Sequence, residues 1–281
     1  MEIQWPLVLF SLFAGTGGTL FAFAGASEFA GGERKARETA AIVSLALMVV
    51  GGCFSVLHLA SPLHALSAVT NLLSFSGISI ELMLLGATFV AVAAYLALSK
   101  RGAVGGQGAK ALAVIGSILG LMLAFFCGHG YVIEGQPTWN TNLLPCAYLG
   151  TCLACGAFAF AMLCNACGNA KGLPAWVGVA CLVSGVLGAV GALGYAQFLG
   201  ASAVAQPLLL WIGVGACGVV GVLASAVVVW RQSESNVQLA CTLGLLFAVV
   251  GGLSVRVLMW VCATGFVNLF AHTVPSVMMN L

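Results

Sequence analysis

The sequence contains eight continuous apolar stretches of about twenty residues, each long enough to cross the hydrocarbon core of a bilayer as a helix. They fall at approximately 6–26, 40–60, 78–99, 111–130, 144–166, 174–199, 207–230 and 237–264. Their apolar residues do not alternate with polar ones, which favours helices over the strands of a membrane barrel. The sequence therefore predicts an all-α integral membrane bundle of eight transmembrane helices.

Composition supports the same class. Only 6% of the 281 residues are charged and 62% are hydrophobic, whereas a soluble domain carries about 25% charged residues. With no soluble domain and no long internal repeat, residues 1–281 are predicted to form a single transmembrane helical domain. No basic residue precedes the first stretch, so it is interpreted as a span and not as a cleaved signal peptide. A net charge of +2 without a Lys/Arg-rich run predicts no nucleic-acid partner.

The basic residues predict the orientation. All but one of them lie in loops that follow odd-numbered stretches: Arg34, Lys35, Arg37, Lys100, Arg101, Lys110, Lys171 and Arg231. Because positively charged loops stay in the cytoplasm, both termini are predicted to lie on the outer side. The remaining basic residue, Arg256, lies inside the last stretch.

This topology places almost every other residue capable of proton chemistry near the outer face. These residues are His58, His64, Glu81, His129, Glu134, Arg256 and His272. Ionisable groups at membrane depth are costly and are therefore functional candidates. Structural roles remain open for each of them. A histidine at a helix end can cap carbonyls, Glu81 can be favoured by a helix dipole, and Arg256 can pair with a buried carboxylate or carbonyl.

The cysteines predict no metal site. Cys152-x-x-Cys155 and Cys164-x-x-Cys167 resemble a paired metal motif, but both lie on or at the end of the fifth stretch. Cys155 and Cys164 would be about 13 Å apart along a helix, too far for four thiolates to share one tetrahedral ion. We interpret these cysteines as small apolar side chains.

The glycines are interpreted as packing residues, because small residues let membrane helices approach each other closely. Gly116 and Gly120, and the run Gly185, Gly188, Gly191 and Gly194, fit this role. Gly213-x-Gly215-x-x-Gly218 matches a dinucleotide-binding string. It lies inside an apolar helix with no strand before it, which favours a structural role there too.

Several short stretches occur in a recognisable order along the chain. They are EIQWPLVLFS from Glu2 to Ser11, HLASPL from His58 to Leu63, SIEL from Ser79 to Leu82, TWNT from Thr138 to Thr141 followed by Pro145, and GLSVR from Gly252 to Arg256. Together they resemble the membrane anchor subunit of dimethyl sulfoxide reductase-type molybdoenzymes. The eight spans and the predicted outer termini are similar to that family as well. The chain departs from the family's pattern at Ala60, His64, Ile80 and Asn140.

The resemblance implies a quinol-oxidising anchor in a bacterial cytoplasmic (inner) membrane. Such a subunit holds a four-cluster iron–sulfur ferredoxin-like subunit and a molybdopterin catalytic subunit on the outer face. It takes electrons from menaquinol, which binds transiently, and it carries no haem and no covalently bound cofactor. The family's quinol-site histidine falls on His58 and its acidic partner on Glu81. We expect quinol binding to involve Ser61, Pro62, His64 and Arg256 as well, and partner docking to involve Trp139 and Asn140.

The chemistry of quinol oxidation agrees with those residue types. Two protons and two electrons leave the quinol, and an imidazole with an unperturbed pKa of about 6.5 can accept a hydroxyl proton. We therefore expect His58 to hydrogen-bond the quinol oxygen and Glu81 to assist proton release. The sequence has no iron–sulfur binding run, so the electrons are expected to pass to a partner.

Two other functions remain open from the residues. In a haem b anchor, two histidines such as His58 and His129 would be axial ligands on facing helices. In a small-solute transporter, polar residues and broken helices would lie near the bilayer midplane, where this chain has almost no ionisable group.

Overall fold

The described residues form eight long helices. In a computed structural model of the chain, the residues described below are 2–57, 76–102, 106–167, 173–231 and 236–263. The helices are α1 (Trp5–Ala30), α2 (Arg34–Leu57), α3 (Gly77–Lys100), α4 (Gln107–His129), α5 (Leu143–Cys167), α6 (Ala175–Leu199), α7 (Leu208–Arg231) and α8 (Val237–Val261). All eight are long and apolar enough to span a membrane, which confirms the predicted fold class.

The helix boundaries follow from local sequence. Pro6 lies in the first turn of α1, where its missing N–H leaves no helical hydrogen bond unmade. Ser76 caps α3 by accepting a hydrogen bond from the backbone N–H of Ser79 at 3.3 Å. Gly31, at a φ of 80°, ends α1 in a conformation that favours glycine. These signals set the ends of the helices in which they occur.

The second helix starts earlier than its apolar stretch does. The predicted span begins at 40, whereas α2 begins at Arg34. Its charged first turns are stable because their side chains are paired: Arg34 lies 2.7 Å from Glu38, and Arg37 lies 3.1 Å from Glu28 of α1. Ion pairs thus extend the helix beyond the apolar residues.

Helices α1 and α5 occupy the centre of the bundle. Thr19 of α1 donates a hydrogen bond to the backbone carbonyl of Cys152 in α5 at 2.7 Å. On another face of α1, Gly18 lies directly against Gly120 of α4, and a Cβ on either glycine would collide with the backbone of the other. Close backbone contact of this kind is what small residues permit in membrane bundles.

Consecutive helices run in opposite directions, which gives the bundle two ends. We call one the basic end, because Arg34, Lys100, Lys110 and Arg231 lie there at helix termini. The other is the loop end, where residues 130–142 connect α4 to α5. The bundle alone does not define its orientation in a membrane, so the outer position of the loop end stays a prediction.

The first part of α7 departs from α-helical geometry. Residues Leu208–Gly221 have π-type hydrogen bonding, and an α-helix resumes over Val222–Arg231. Sequence patterns did not predict this change, because the apolar composition is the same on both sides of it.

Candidate functional site

An aromatic cluster lies under the connection at the loop end. The rings of Trp139 and Trp260 are 5.0 Å apart, and Tyr131 lies 5.7 Å from Trp139 and 6.2 Å from Tyr148. The indole N–H of Trp139 donates to the backbone carbonyl of Met259 in the last turn of α8 at 3.0 Å. The cluster therefore fixes the α4–α5 connection onto the end of α8.

The predicted docking role of Trp139 stays a prediction. Its side chain is only 6% exposed, because the ring packs into the aromatic cluster and holds the connection in place. Asn140, the other predicted docking residue, is exposed at the surface of the same connection. Next to it, the Tyr195 hydroxyl of α6 donates to the carbonyl of Thr138 at 3.0 Å. The connection is thus rigidly supported on its inner side and open on its outer side.

Arg256 is fully buried and joins three helices. Its Nε donates to Ser11 Oγ of α1 at 2.9 Å, and Nη1 donates to Thr151 Oγ1 of α5 at 3.2 Å and to the carbonyl of Gly252 at 2.9 Å. Its Nη2 donates to the carbonyl of Ser11 and to Cys152 Sγ. All the N–H donors of the guanidinium are therefore used inside the protein.

The role of Arg256 in quinol binding stays a prediction, and in this structure protein acceptors use all of its guanidinium donors. The hydrogen bonds of Arg256 agree with the alternative of a structural role, in which buried carbonyl and hydroxyl oxygens accept from the guanidinium. No carboxylate among the described residues lies within ion-pair distance of Arg256. The Tyr148 ring, 4.2 Å from the guanidinium carbon, supplies a further favourable contact to the buried charge.

Glu81 lies in the second turn of α3, facing the end of α4. A Cβ added to Gly130 would collide with Glu81 Oε1, so the carboxylate occupies the space that this glycine leaves open. No side chain among the described residues forms an ion pair with the carboxylate. The prediction that singled out Glu81 thus falls on a partly buried carboxylate between α3 and the end of α4.

The other predicted quinol-binding residues are His58, Ser61, Pro62 and His64, and all four lie outside the described residues. The helix that leads to them can be placed. Gly52 of α2 lies next to Leu85 of α3, so the last turns of α2 pack beside the first turns of α3. His129 is described and is exposed at the end of α4, with its ring near those of Phe125 and Phe126.

Sequence reasoning missed a second polar cluster, at the basic end. The Glu28 carboxylate accepts a hydrogen bond from the Tyr95 hydroxyl at 2.8 Å and pairs with Arg37, so α1, α2 and α3 are joined by buried groups. From the sequence alone, Arg37 is only one of the basic residues that predict the orientation. A glutamate and a tyrosine at matching depth near the ends of two spans were the signal that could have revealed the cluster.

One cysteine has a polar contact, which the interpretation of the cysteines as small apolar side chains does not include. Cys152 and Cys155 are buried in α5, and the Cys152 sulfur accepts a hydrogen bond from Arg256 at 3.2 Å. Among the described residues, no three His, Cys, Asp or Glu side chains form a group that could hold a metal ion.

Comparison with known proteins decides the family. The model of the DMSO reductase anchor subunit family (DmsC) matches residues 1–279. The chain is a member of this family. Eight apolar helices and this membership make the anchor subunit a multi-pass membrane protein, consistent with a bacterial inner membrane. The comparison with curated proteins found no match. Family membership supports the anchor function over the transporter alternative.

Proposed function

We propose that this anchor subunit oxidises menaquinol at the loop end of the bundle and passes the electrons to an iron–sulfur subunit of a DMSO reductase-type complex. Each menaquinol gives up two protons and two electrons and leaves as menaquinone. The electrons go on to a molybdopterin catalytic subunit through four iron–sulfur clusters of the ferredoxin-like partner. The anchor subunit itself accepts the two protons and releases them.

The observation that supports this proposal most directly is the position of Glu81. A carboxyl group between α3 and the end of α4, with no cation paired to it among the described residues, is costly in a membrane unless it has a function. A carboxylate in this position can accept a hydroxyl proton and release it at the loop end.

In the proposed mechanism His58 hydrogen-bonds one quinol hydroxyl and accepts its proton, and Glu81 orients that ring or accepts the second proton. Ser61, Pro62 and His64 belong to the same segment and are proposed to shape the headgroup pocket. Arg256 is proposed to act indirectly, because its hydrogen bonds join α1, α5 and α8 inside the bundle. The exposed side of the Asn140 connection is the proposed surface for the iron–sulfur subunit.

The test uses the assembled complex and two electron donors. With a reduced menaquinone analogue, Glu81→Gln and His58→Ala are expected to lower turnover at least about a hundredfold, the usual scale of a lost acid–base group. With a soluble dye that reduces the iron–sulfur subunit directly, both variants should retain wild-type turnover. Glu134→Gln, an exposed glutamate at the same end, is the matched control. Wild-type quinol oxidation by Glu81→Gln would disprove the assignment.

The proposal includes no haem in this chain, and the absorption spectrum tests that separately. A Soret band that copurifies with the anchor subunit, and that is lost in His129→Ala, would favour the haem b alternative.

A further inference from the structure

A groove on the membrane-facing surface lies far from the proposed quinol site. It has a volume of about 370 Å³ and runs between α1 and α4, with one residue of α5 at its edge. Its lining is almost entirely apolar, and Val114, Ile118 and Phe29 form its exposed walls. Its floor forms where Gly25 of α1 meets Ser117 of α4 in close contact. The groove belongs to the half of the bundle nearer the basic end.

The groove has the length of part of an acyl chain. Its α4 residues run from Ala113 to Leu121, which corresponds to about 12 Å along the helix axis. The α1 residues cover a similar length, from Ala22 to Phe29. A small soluble ligand would find almost no polar group in this lining, so the occupant should itself be apolar over this length.

A basic residue, Lys110, lies at the end of the groove that is nearer the basic end of the bundle. Lys110 precedes Ala113 by one helical turn, and the α4 residues that line the groove continue at spacings of three and four. The Lys110 side chain therefore lies on the same face of α4, about 4.5 Å nearer the basic end than Ala113. Lys110 is exposed.

No ion pair within the described part of the chain neutralises the charge of Lys110. Arg34, Lys100 and Arg37 each pair with a glutamate at this end of the bundle. Lys110 forms no ion pair with any residue of the described ranges. An apolar groove that ends at an unpaired cation matches a molecule with an apolar chain and an anionic head.

We propose that this groove binds an anionic phospholipid, with one acyl chain between α1 and α4 and the phosphate headgroup at Lys110. Basic pockets between transmembrane helices on the cytoplasmic side bind such headgroups, and the positive-inside pattern predicts that side for the basic end. The bound lipid seals the gap between the two helices and is independent of quinol oxidation at the other end.

The test compares two lipids on the assembled complex in a mild non-ionic detergent. Phosphatidylglycerol and phosphatidylcholine with identical acyl chains are titrated separately, and bound lipid is counted by native mass spectrometry. We expect phosphatidylglycerol to occupy one site more tightly than phosphatidylcholine does. Lys110→Gln should weaken that site about fivefold, the effect of one cation on an anionic headgroup, and leave phosphatidylcholine unchanged.

Two further variants separate the groove from general surface charge. Ala26→Phe places a ring in the groove from an exposed position of α1 and should weaken both lipids. Lys35→Gln removes an exposed cation from the same end outside the groove and should have no effect. Equal weakening by Lys35→Gln and Lys110→Gln would overturn the proposal. So would equal retention of the two lipids by the wild type, or unchanged phosphatidylglycerol binding in Lys110→Gln.

Discussion

The guanidinium carbon of Arg256 lies 4.2 Å from the centre of the Tyr148 ring, deep inside the bundle. Tyr148 in turn lies 6.2 Å from Tyr131, and the residue before Tyr131, Gly130, lies against the Glu81 carboxylate. A continuous set of packed groups therefore runs from the helix core to the candidate site. Because Arg256 also donates hydrogen bonds to Ser11 of α1 and Thr151 of α5, it joins α1, α5 and α8 inside the bundle.

Replacing Arg256 should reveal a requirement for guanidinium geometry and not only for positive charge. Lysine has three donors on one nitrogen and will not reach Ser11 and Thr151 together. We expect Arg256→Lys to lower the free energy of unfolding by about 2 kcal/mol, measured as a lower Tm of the assembled complex in detergent. Arg231→Lys, at an exposed position, should leave the Tm unchanged. A wild-type Tm for Arg256→Lys would contradict the role assigned here.

Gly130 should be essential for the position of Glu81. Its φ of −58° suits alanine, so any effect of Gly130→Ala comes from the collision of the new Cβ with the carboxylate. We expect menaquinol oxidation to fall about tenfold to a hundredfold, while dye-driven turnover stays at the wild-type level. Gly86→Ala is the matched control, since a Cβ there meets no neighbour. Equal turnover in the two variants would show that the carboxylate moves without consequence.

Trp139→Phe tests the aromatic cluster. Phenylalanine keeps much of the packing but removes the hydrogen bond to the Met259 carbonyl, so the free energy of unfolding should fall by about 1 kcal/mol. The expected measurements are a lower Tm and faster proteolysis of the 130–142 connection. Trp211→Phe, at a position that is 64% exposed, should change neither. Loss of partner binding at unchanged Tm would instead support the predicted docking role of Trp139.

At the basic end, Glu28→Gln should be more destabilising than Glu38→Gln. Glu28 is almost fully buried, so its removal leaves the Arg37 charge inside the protein without its partner, at a loss of about 3 kcal/mol. Glu38 pairs with Lys100, which is 60% exposed, and such pairs contribute about 1 kcal/mol or less. Thermal unfolding of both variants, and of Glu28→Gln combined with Arg37→Gln, measures the difference. If the loss in the double variant equals the sum of the losses in Glu28→Gln and Arg37→Gln, a direct pair between Glu28 and Arg37 is excluded.

The sequence predicted the helices well and the interior poorly, for physical reasons. Span length and hydropathy are properties of single segments, so the eight helices could be recognised without knowing their neighbours. Glu81 could also be singled out, because an ionisable residue in an apolar segment is conspicuous. The roles of Arg256 and Trp139 depend on Ser11, Thr151 and Met259, which are distant in sequence, and no local pattern carries that information.

The π-type geometry of α7 has a consequence for chain length. In a helix with i→i+5 bonding, residues five apart stack on one face, and Gly213 and Gly218 both contact α8, at Ser254 and Gly251. An α-helix would turn one of the two away and present a side chain in its place. Deleting a single residue between them should therefore disrupt the α7–α8 contact as severely as a bulky substitution would. In this stretch the number of residues between Gly213 and Gly218 matters as much as the identity of the two glycines.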